Sequence, residues 1–537
     1  VKWRPLLVLA AAQFLMVLDQ AVMNVSISQL VEDFDTSVTV IQGVITFYAL
    51  TMAALMITGG KLGDRWGRKR AFLIGLAIYA TGSALTAVAP TVPVLLLGWS
   101  ILEGVGAALV LPALVAMVAG IYEGSDRAIA YGILGGVAGA GVAVGPILGG
   151  WVTTSFTWRY VFVGEVVLTI VIVITSRLLG TESAEVDRPE LDWTGAVISA
   201  LALALIVFGV LQASEWGWLA DASSPVSPFG LALTPFVVGA GFVGVGGFVI
   251  WTERRTRRGR SALFRLGLFR ILPVRSGLQM LFMQNLMLMG VFFAIPLYLQ
   301  VVQGLDALET GVRLLPVSLM MFVTSFAGAR LAKRWTPRQI VRAALWALLL
   351  SVLVLMATIR PELGGVMFAI ATALLGSGIG LMASQLGNVI QSAVGDSDRS
   401  EIGGLQFTAQ QLGSAMGTAL VGAMVITALG AAFTGRIAND QRVPADFPEF
   451  IEVELAGSIP FVPTDTAADA LEDTGLAASE VTAIIESYEE SQLVALRIGL
   501  LVVAALVVFA LFTARRLPDQ RFDEMAAPDT PPSRANP

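Results

Sequence analysis

Three carboxylic residues, Asp19, Glu103 and Glu165, lie inside stretches that are otherwise apolar. Burying a charge at mid-bilayer is costly, so an acid kept there is a candidate for ion or substrate handling. Each stands about 7 to 11 residues from the outer end of its apolar run; at ~1.5 Å per helical residue all three lie roughly 11–16 Å below that surface. A common depth lets them line one cavity and titrate as a coupled set. The chain has no histidine and no cysteine. Proton chemistry must then use carboxylates, and thiolate or histidine metal sites are excluded. The competing reading is that each acid is paired or capped for structure.

Two glycine-bearing stretches could move the parts that carry these acids. Gly60 to Arg70 reads GKLGDRWGRKR, one acid amid five bases in a tight turn. Asp64, with Arg68 four residues on, is expected to form an ion-pair latch. Gly132 to Gly150 reads GILGGVAGAGVAVGPILGG. Glycines at four-residue spacing let helix backbones approach closely in lipid, and Pro146 favours a kink. A close-packed, bendable helix suits a pivot, although the same pattern serves plain packing. Elsewhere the apolar runs carry amides: Asn24, Gln284, Asn285, Gln385, Asn388 and Gln410. Such groups orient a ligand or hold helices together.

The elements that must position these residues are membrane spans. Of 537 residues 56% are hydrophobic and 14% charged, and the apolar residues come in runs of about 20, enough to cross ~30 Å of hydrocarbon. Fourteen spans are expected at 5–28, 42–60, 71–89, 93–119, 128–153, 158–178, 193–213, 230–252, 272–302, 308–332, 339–359, 363–391, 402–432 and 492–514. With both chain ends cytoplasmic, only Arg159, Arg313, Arg360, Arg436, Arg442 and Arg497 of the 34 basic residues face outward, which sets the orientation. The run of arginines from Arg254 to Arg275 is read as a topology signal and a contact for anionic lipid. No aromatics are interleaved with it to stack on bases, so nucleic acid is not an expected partner.

The expected organisation is a first six-helix bundle at 1–178, two extra helices with a basic linker at 179–271, and a second bundle at 272–514. Residues 433–491 read as an acidic insertion on the outer side, either holding a short amphipathic helix from Thr466 to Gln492 or running as a flexible acidic loop, and expected to be dispensable for folding. Residues 515–537 read as a disordered cytoplasmic tail. A weak repeat, L-x-x-R-W, occurs at Leu62/Arg65/Trp66 and again at Leu331/Arg334/Trp335. Lys333 stands in the second copy where Asp64 stands in the first.

The pattern G-x-L-x-D-R-x-G-R-K at residues 60–69 resembles the cytoplasmic-loop signature of the major facilitator superfamily. Gly141, Gly145, Pro146, Gly149 and Gly150 resemble the antiporter motif in the fifth helix of its exporters. Leu18-Asp19 followed by Asn24-Val25 resembles the first helix of its fourteen-helix drug:proton antiporter branch. The resemblance implies an all-α polytopic membrane protein with 14 transmembrane helices, two six-helix bundles plus two inserted helices. It implies a cytoplasmic gate at Gly60, Asp64, Arg65, Gly67, Arg68 and Lys69; proton coupling through Asp19, Glu103 and Glu165, and a substrate cavity that includes the amides named above, are expected from the residues themselves.

The function implied is proton-coupled antiport exporting amphipathic, cationic small molecules by alternating access. An exporter of an endogenous lipid or metabolite is the alternative, and a non-transporting sensor is less favoured. No enzyme activity, cofactor or metal is expected beyond the proton gradient. The expected partners are small substrates, protons and membrane lipids, with a monomer in a bacterial plasma membrane. The chain departs from the branch in its fourth and sixth helices: Ser100 stands where an arginine is usual, Glu103 for a glutamine and Glu165 for an asparagine. A buried cation is lost and two acids are gained.

Overall fold

The computed structural model describes residues 2–36, 38–180, 191–219, 224–305, 307–395, 398–443, 461–472 and 477–521. Among them are fourteen helices long and apolar enough to cross a membrane, and no strand. The first six are α1 (Arg4–Val25), α2 (Val38–Trp66), α3 (Arg68–Ala87), α4 (Val92–Ile121), α5 (Gly124–Ser155) and α6 (Arg159–Thr175). The inserted pair is α7 (Trp193–Trp216) and α8 (Thr234–Arg257). The last six are α9 (Leu272–Leu297), α10 (Ala307–Leu331), α11 (Pro337–Thr358), α12 (Gly365–Ser392), α13 (Arg399–Ile437) and α14 (Ala478–Thr513). Starts are marked by proline in the first turn of α1, α8, α9 and α11, where the missing N–H would have no partner anyway. The even count leaves both chain ends on one side, called here the basic side.

Each six-helix half has its own apolar core. Leu9, Leu15, Tyr48, Phe72, Tyr79, Trp99 and Phe162 belong to the first. Val291, Tyr298, Leu345, Leu375, Val425 and Leu496 belong to the second. The cores exchange one residue each: Phe407 of α13 packs in the first, and Ile57 of α2 packs in the second. The inserted pair sits on the seam between the halves. Ile206, Val207 and Val210 of α7 pack with Ala53 of α2 and with Ala415 and Ala419 of α13.

The insertion at 433–491 differs from expectation. No separate helix spans Thr466 to Gln492. A short helix covers Thr464–Glu472, and α14 begins at Ala478 and continues into the last span. Glu480 accepts the Ala477 N–H at 2.8 Å, which starts the helix, and no proline follows to stop it. Phe433 of the equally long α13 meets Tyr488 edge to face with ring centroids 5.5 Å apart. Ile437, Val443, Ile484 and Tyr488 are buried in the second core. Both ends of 433–491 are therefore structural. Residues 444–460 of that insertion, and 522–537 of the tail, lie outside the described residues.

The repeat between the halves extends beyond L-x-x-R-W. Lys69 and Arg338 are each seven residues past the repeat's leucine. Lys69 Nζ donates to the Gly180 carbonyl at 2.6 Å, and Arg338 Nε donates to the Leu517 carbonyl at 2.9 Å. Both carbonyls immediately follow a single 3₁₀ turn, Ser176–Leu179 and Ala514–Arg516, that ends the sixth helix of each half. The α2–α3 and α10–α11 elbows are thus tied to equivalent points.

Candidate functional site

Four elements of the first half bring polar groups to one point. On α3, Tyr79, Ser83 and Thr86 are spaced four and three residues apart and share one face. α4 is π-helical over Leu96–Glu103, a distortion that often marks functional positions. That segment presents Trp99 and Glu103, while α1 brings Asp19 and α6 brings Glu165. The three acids are 1%, 0% and 2% exposed. One carboxylate oxygen from each lies within 4.8 Å of the other two.

Every acid has one oxygen bonded and one without a hydrogen-bond partner. Trp99 Nε1 donates to Asp19 Oδ1 at 2.7 Å. Tyr79 OH and Ser83 Oγ each donate to Glu165 Oε2 at 3.1 Å. Thr86 Oγ1 donates to Glu103 Oε1 at 3.4 Å. Asp19 Oδ2, Glu103 Oε2 and Glu165 Oε1 are buried and unpartnered. Tyr48 stacks on Trp99, ring centroids 4.5 Å apart and planes 7° from parallel, and walls the group. Ser100 is fully buried and donates to the Val44 carbonyl at 2.7 Å. None of the ion pairs among the described residues reaches the three acids.

Such a nest can store protons or accept a compact cation. Three carboxylates this close cannot all be charged in an apolar interior without a counter-charge. As a donor set for a metal it is all oxygen, which suits a hard ion. Calcium takes about 6–8 oxygens, more than three single carboxylate contacts supply.

The other expected residues fall elsewhere. Gly60, Asp64 and Arg65 occupy the last two turns of α2. Gly67 has φ +92°, a left-handed value that glycine adopts without strain, and it turns the chain into α3. Arg68 brings its guanidinium against Gly120 at the end of α4, near Arg399 of the second half. Asp64, Arg65, Arg68 and Lys69 each have interacting neighbours.

The glycine-rich helix divides its partners. A side chain on Gly141, Gly145 or Gly149 would collide with Val17, Ala21 or Val22 of α1, the stretch that carries Asp19. Gly132, Gly136 and Gly139 face Ser325, Phe322 and Met321 of α10 in the other half. Gly150 lends its carbonyl to Thr153 Oγ1 at 3.1 Å. α5 runs as one helix through position 146; the side chains of Pro146 and Asn24 lie outside the described residues.

Two of the second-half amides, Gln284 and Gln385, hold helices together, and two others bond within their own helix. Gln284 Nε2 donates to the Ile379 carbonyl at 3.2 Å, and Gln385 Nε2 to the Gly328 carbonyl at 3.0 Å. Asn388 accepts from Ser392 Oγ at 3.0 Å, and Asn285 donates to Leu281 in its own helix at 3.0 Å. Gln410 is half-buried on α13.

Sequence reading missed two groups. The hydroxyl stripe of α3 was visible as Tyr79, Ser83 and Thr86 at helical spacing in an apolar run. The seam bond was not: Lys61 Nζ of α2 meets Glu401 Oε2 of α13 at 3.2 Å, 340 residues on, with both side chains buried.

The chain was compared with known proteins. The family description "Major Facilitator Superfamily" matches residues 9–418. The chain belongs to the major facilitator superfamily. It is 27% identical to the tetracenomycin C resistance and export protein of Streptomyces glaucescens over 97% of this chain and 93% of that protein. It is 30% identical to the multidrug efflux pump LfrA of Mycolicibacterium smegmatis over 82% of this chain and 83% of the pump. The human organic anion transporter MFSD10 shares the major facilitator fold, with a TM-score of 0.55 at 15% identity, covering 96% of this chain and 97% of the other. The proton:xylose symporter XylE also scores 0.55, at 12% identity, with 98% of each chain covered. This is a multi-pass transporter of that superfamily and not an enzyme.

Proposed function

We propose that the protein is a proton-coupled exporter of small amphipathic, cationic molecules, drugs among them, in a bacterial plasma membrane. Relatives named for antibiotic resistance and multidrug efflux support export of small drugs. The basic side is cytoplasmic by its arginine and lysine bias. The halves approach each other there, where Gly403 packs on Pro112, Gly404 on Met56, and Lys61 pairs with Glu401. This is the cytoplasm-closed arm of an alternating-access cycle between bundles 1–178 and 272–514.

The observation that carries proton coupling is the nest: three carboxylic groups within 4.8 Å and a free oxygen on each. It holds protons when no cation is near and releases one when a cationic substrate approaches, so proton and substrate alternate. Asp19, bonded to Trp99 and carried by the helix that α5 packs against, links the nest to the moving parts. The second half contributes interhelical ties at Gln284 and Gln385.

The test uses proteoliposomes with an imposed pH gradient and a lipophilic cation such as tetraphenylphosphonium. Asp19→Asn, Glu103→Gln and Glu165→Gln should each lower gradient-driven transport while downhill exchange of substrate persists. Undiminished gradient-driven transport in all three would move the coupling elsewhere.

A further inference from the structure

The arginine-rich linker between the inserted helices and the second half makes contacts that topology does not require. A continuous set of bonds runs from α7 to the seam. Asp192 is buried at the start of α7 and accepts the Gly195 N–H at 2.9 Å. It also accepts the Trp251 indole of α8 at 3.1 Å and faces Arg255 Nε at 3.7 Å. Arg255 Nε donates to the Ser261 carbonyl at 2.6 Å. The linker is then fixed by Leu263 and Phe264, both buried, with Phe264 stacked on Phe248 of α8. One residue later the Arg265 backbone N–H donates to Glu401 Oε1 at 2.6 Å, and the Arg265 side chain pairs with Asp398. Glu401 Oε2, the other oxygen of that carboxylate, receives Lys61 of the first half at 3.2 Å.

One carboxylate thus joins three parts of the chain. A buried carboxylate needs its lone pairs satisfied, and Lys61 satisfies only one of its oxygens. Without the linker, Glu401 Oε1 would lose this donor, and the seam bond would be held less rigidly. The packing of α7 on both α2 and α13 lies along the same seam, an independent sign that the insertion braces the joint.

We infer that the inserted helices and their linker are a working part of the gate, with Arg265 the positioning residue that holds Glu401 ready for Lys61. This rests on the alternating-access reading. When the basic side opens, Lys61 leaves with the first half, and Glu401 keeps its linker bond and stays poised to re-form the joint.

The chain's lack of cysteine allows spin-label pairs on the basic ends of the two halves, read by electron–electron distance measurement in nanodiscs. Lys61→Gln should shift the population toward the basic-side-open state by at least about tenfold. Arg265→Ala removes the side-chain pair alone, and Arg265→Pro, at a residue with φ −88°, removes that pair and the backbone donor together. Both should shift the population the same way, by several-fold, and add nothing in the Lys61→Gln background. Arg257→Ala, in the same basic cluster but paired on the surface with Glu253, should leave the distribution unchanged, and Arg265→Lys, which keeps a cation for Asp398, should retain the parent distribution. If Lys61→Gln shifts the population and both Arg265 variants do not, the linker has no part in the gate. If Lys61→Gln itself shifts nothing while gradient-driven transport is intact, the seam bond is not a gate and the inference falls with it. Absence of transport in the parent would instead count against the proposed function.

Discussion

The two halves share a fold and an elbow but treat buried polarity differently. In the first half the buried polar groups are carboxylic acids with open valences: Asp19, Glu103 and Glu165 each keep one unpartnered oxygen. The second half offers amides instead, its buried Glu401 being engaged by Lys61 and the Arg265 backbone: Gln284 and Gln385 give their N–H groups to backbone carbonyls of neighbouring helices, while Gln385 Oε1 and Asn388 Nδ2 stay unpartnered. An amide cannot change charge, whereas a carboxyl can. One half is therefore built to change its charge state and the other to stay constant while the first moves against it.

The comparison breaks most visibly at Asp19. Asp19→Asn keeps an oxygen for Trp99 but cannot ionise. A site that cannot give up a proton cannot exchange it, so gradient-driven transport should fall by at least about tenfold, ~1.4 kcal/mol in the barrier, with thermal stability held or improved. Stopped-flow transport and a melting curve check both halves of that statement.

Second-half amides should show the opposite signature. Gln284→Leu and Gln385→Leu each remove an interhelical bond worth ~0.6 kcal/mol in membranes. Stability should drop by about that much, with the proton:substrate ratio unchanged. A changed ratio would mean that charge handling is spread over both halves.

The elbows sharpen the contrast at smaller scale. Lys69 holds the Gly180 carbonyl, and Arg338 holds the Leu517 carbonyl and also Asp519, at 2.9 Å. The second elbow lacks the acid of the first, with Lys333 in its place, and an acid from beyond the last helix lies against it. Its pair is partly exposed, so Asp519→Asn should cost at most ~1 kcal/mol, less than Lys61→Gln, read from the same distance distributions.

The smallest effect is expected on the outer side. Hydrogen bonds from Arg442 hold the Asp440 carboxyl below its ordinary value of 3.8. A depressed folded-state value stabilises above the ordinary value and is lost as pH falls through the depressed one. Protection from hydrogen exchange at Asp440–Val443, relative to the intrinsic rate at each pH, should hold from neutral pH down to 3.8 and be lost only below it, and at higher pH in Arg442→Gln.

Much of this was legible in the sequence because a membrane imposes few solutions. Runs of apolar residues gave all fourteen spans, and acids in such runs are rare enough to single out. Their convergence was foreshadowed by common depth, but their setting was not. They share a buried nest inside the first bundle, with the stacked Tyr48 and Trp99 rings beside it. The outer helix was misplaced because polar composition hid the fact that nothing between Ala478 and the last span interrupts a helix. Lys61 with Glu401 was invisible, since a pair separated by 340 residues leaves no local pattern.

The most direct test of the central claim is proton release on substrate binding. Purified protein in weakly buffered detergent, with a pH indicator dye, is mixed with tetraphenylphosphonium across pH. The account predicts proton release per bound cation in the parent, reduced or abolished in Asp19→Asn, Glu103→Gln and Glu165→Gln, and retained in Gln284→Leu and Gln385→Leu. Equal release from the parent and all three acid variants would contradict it.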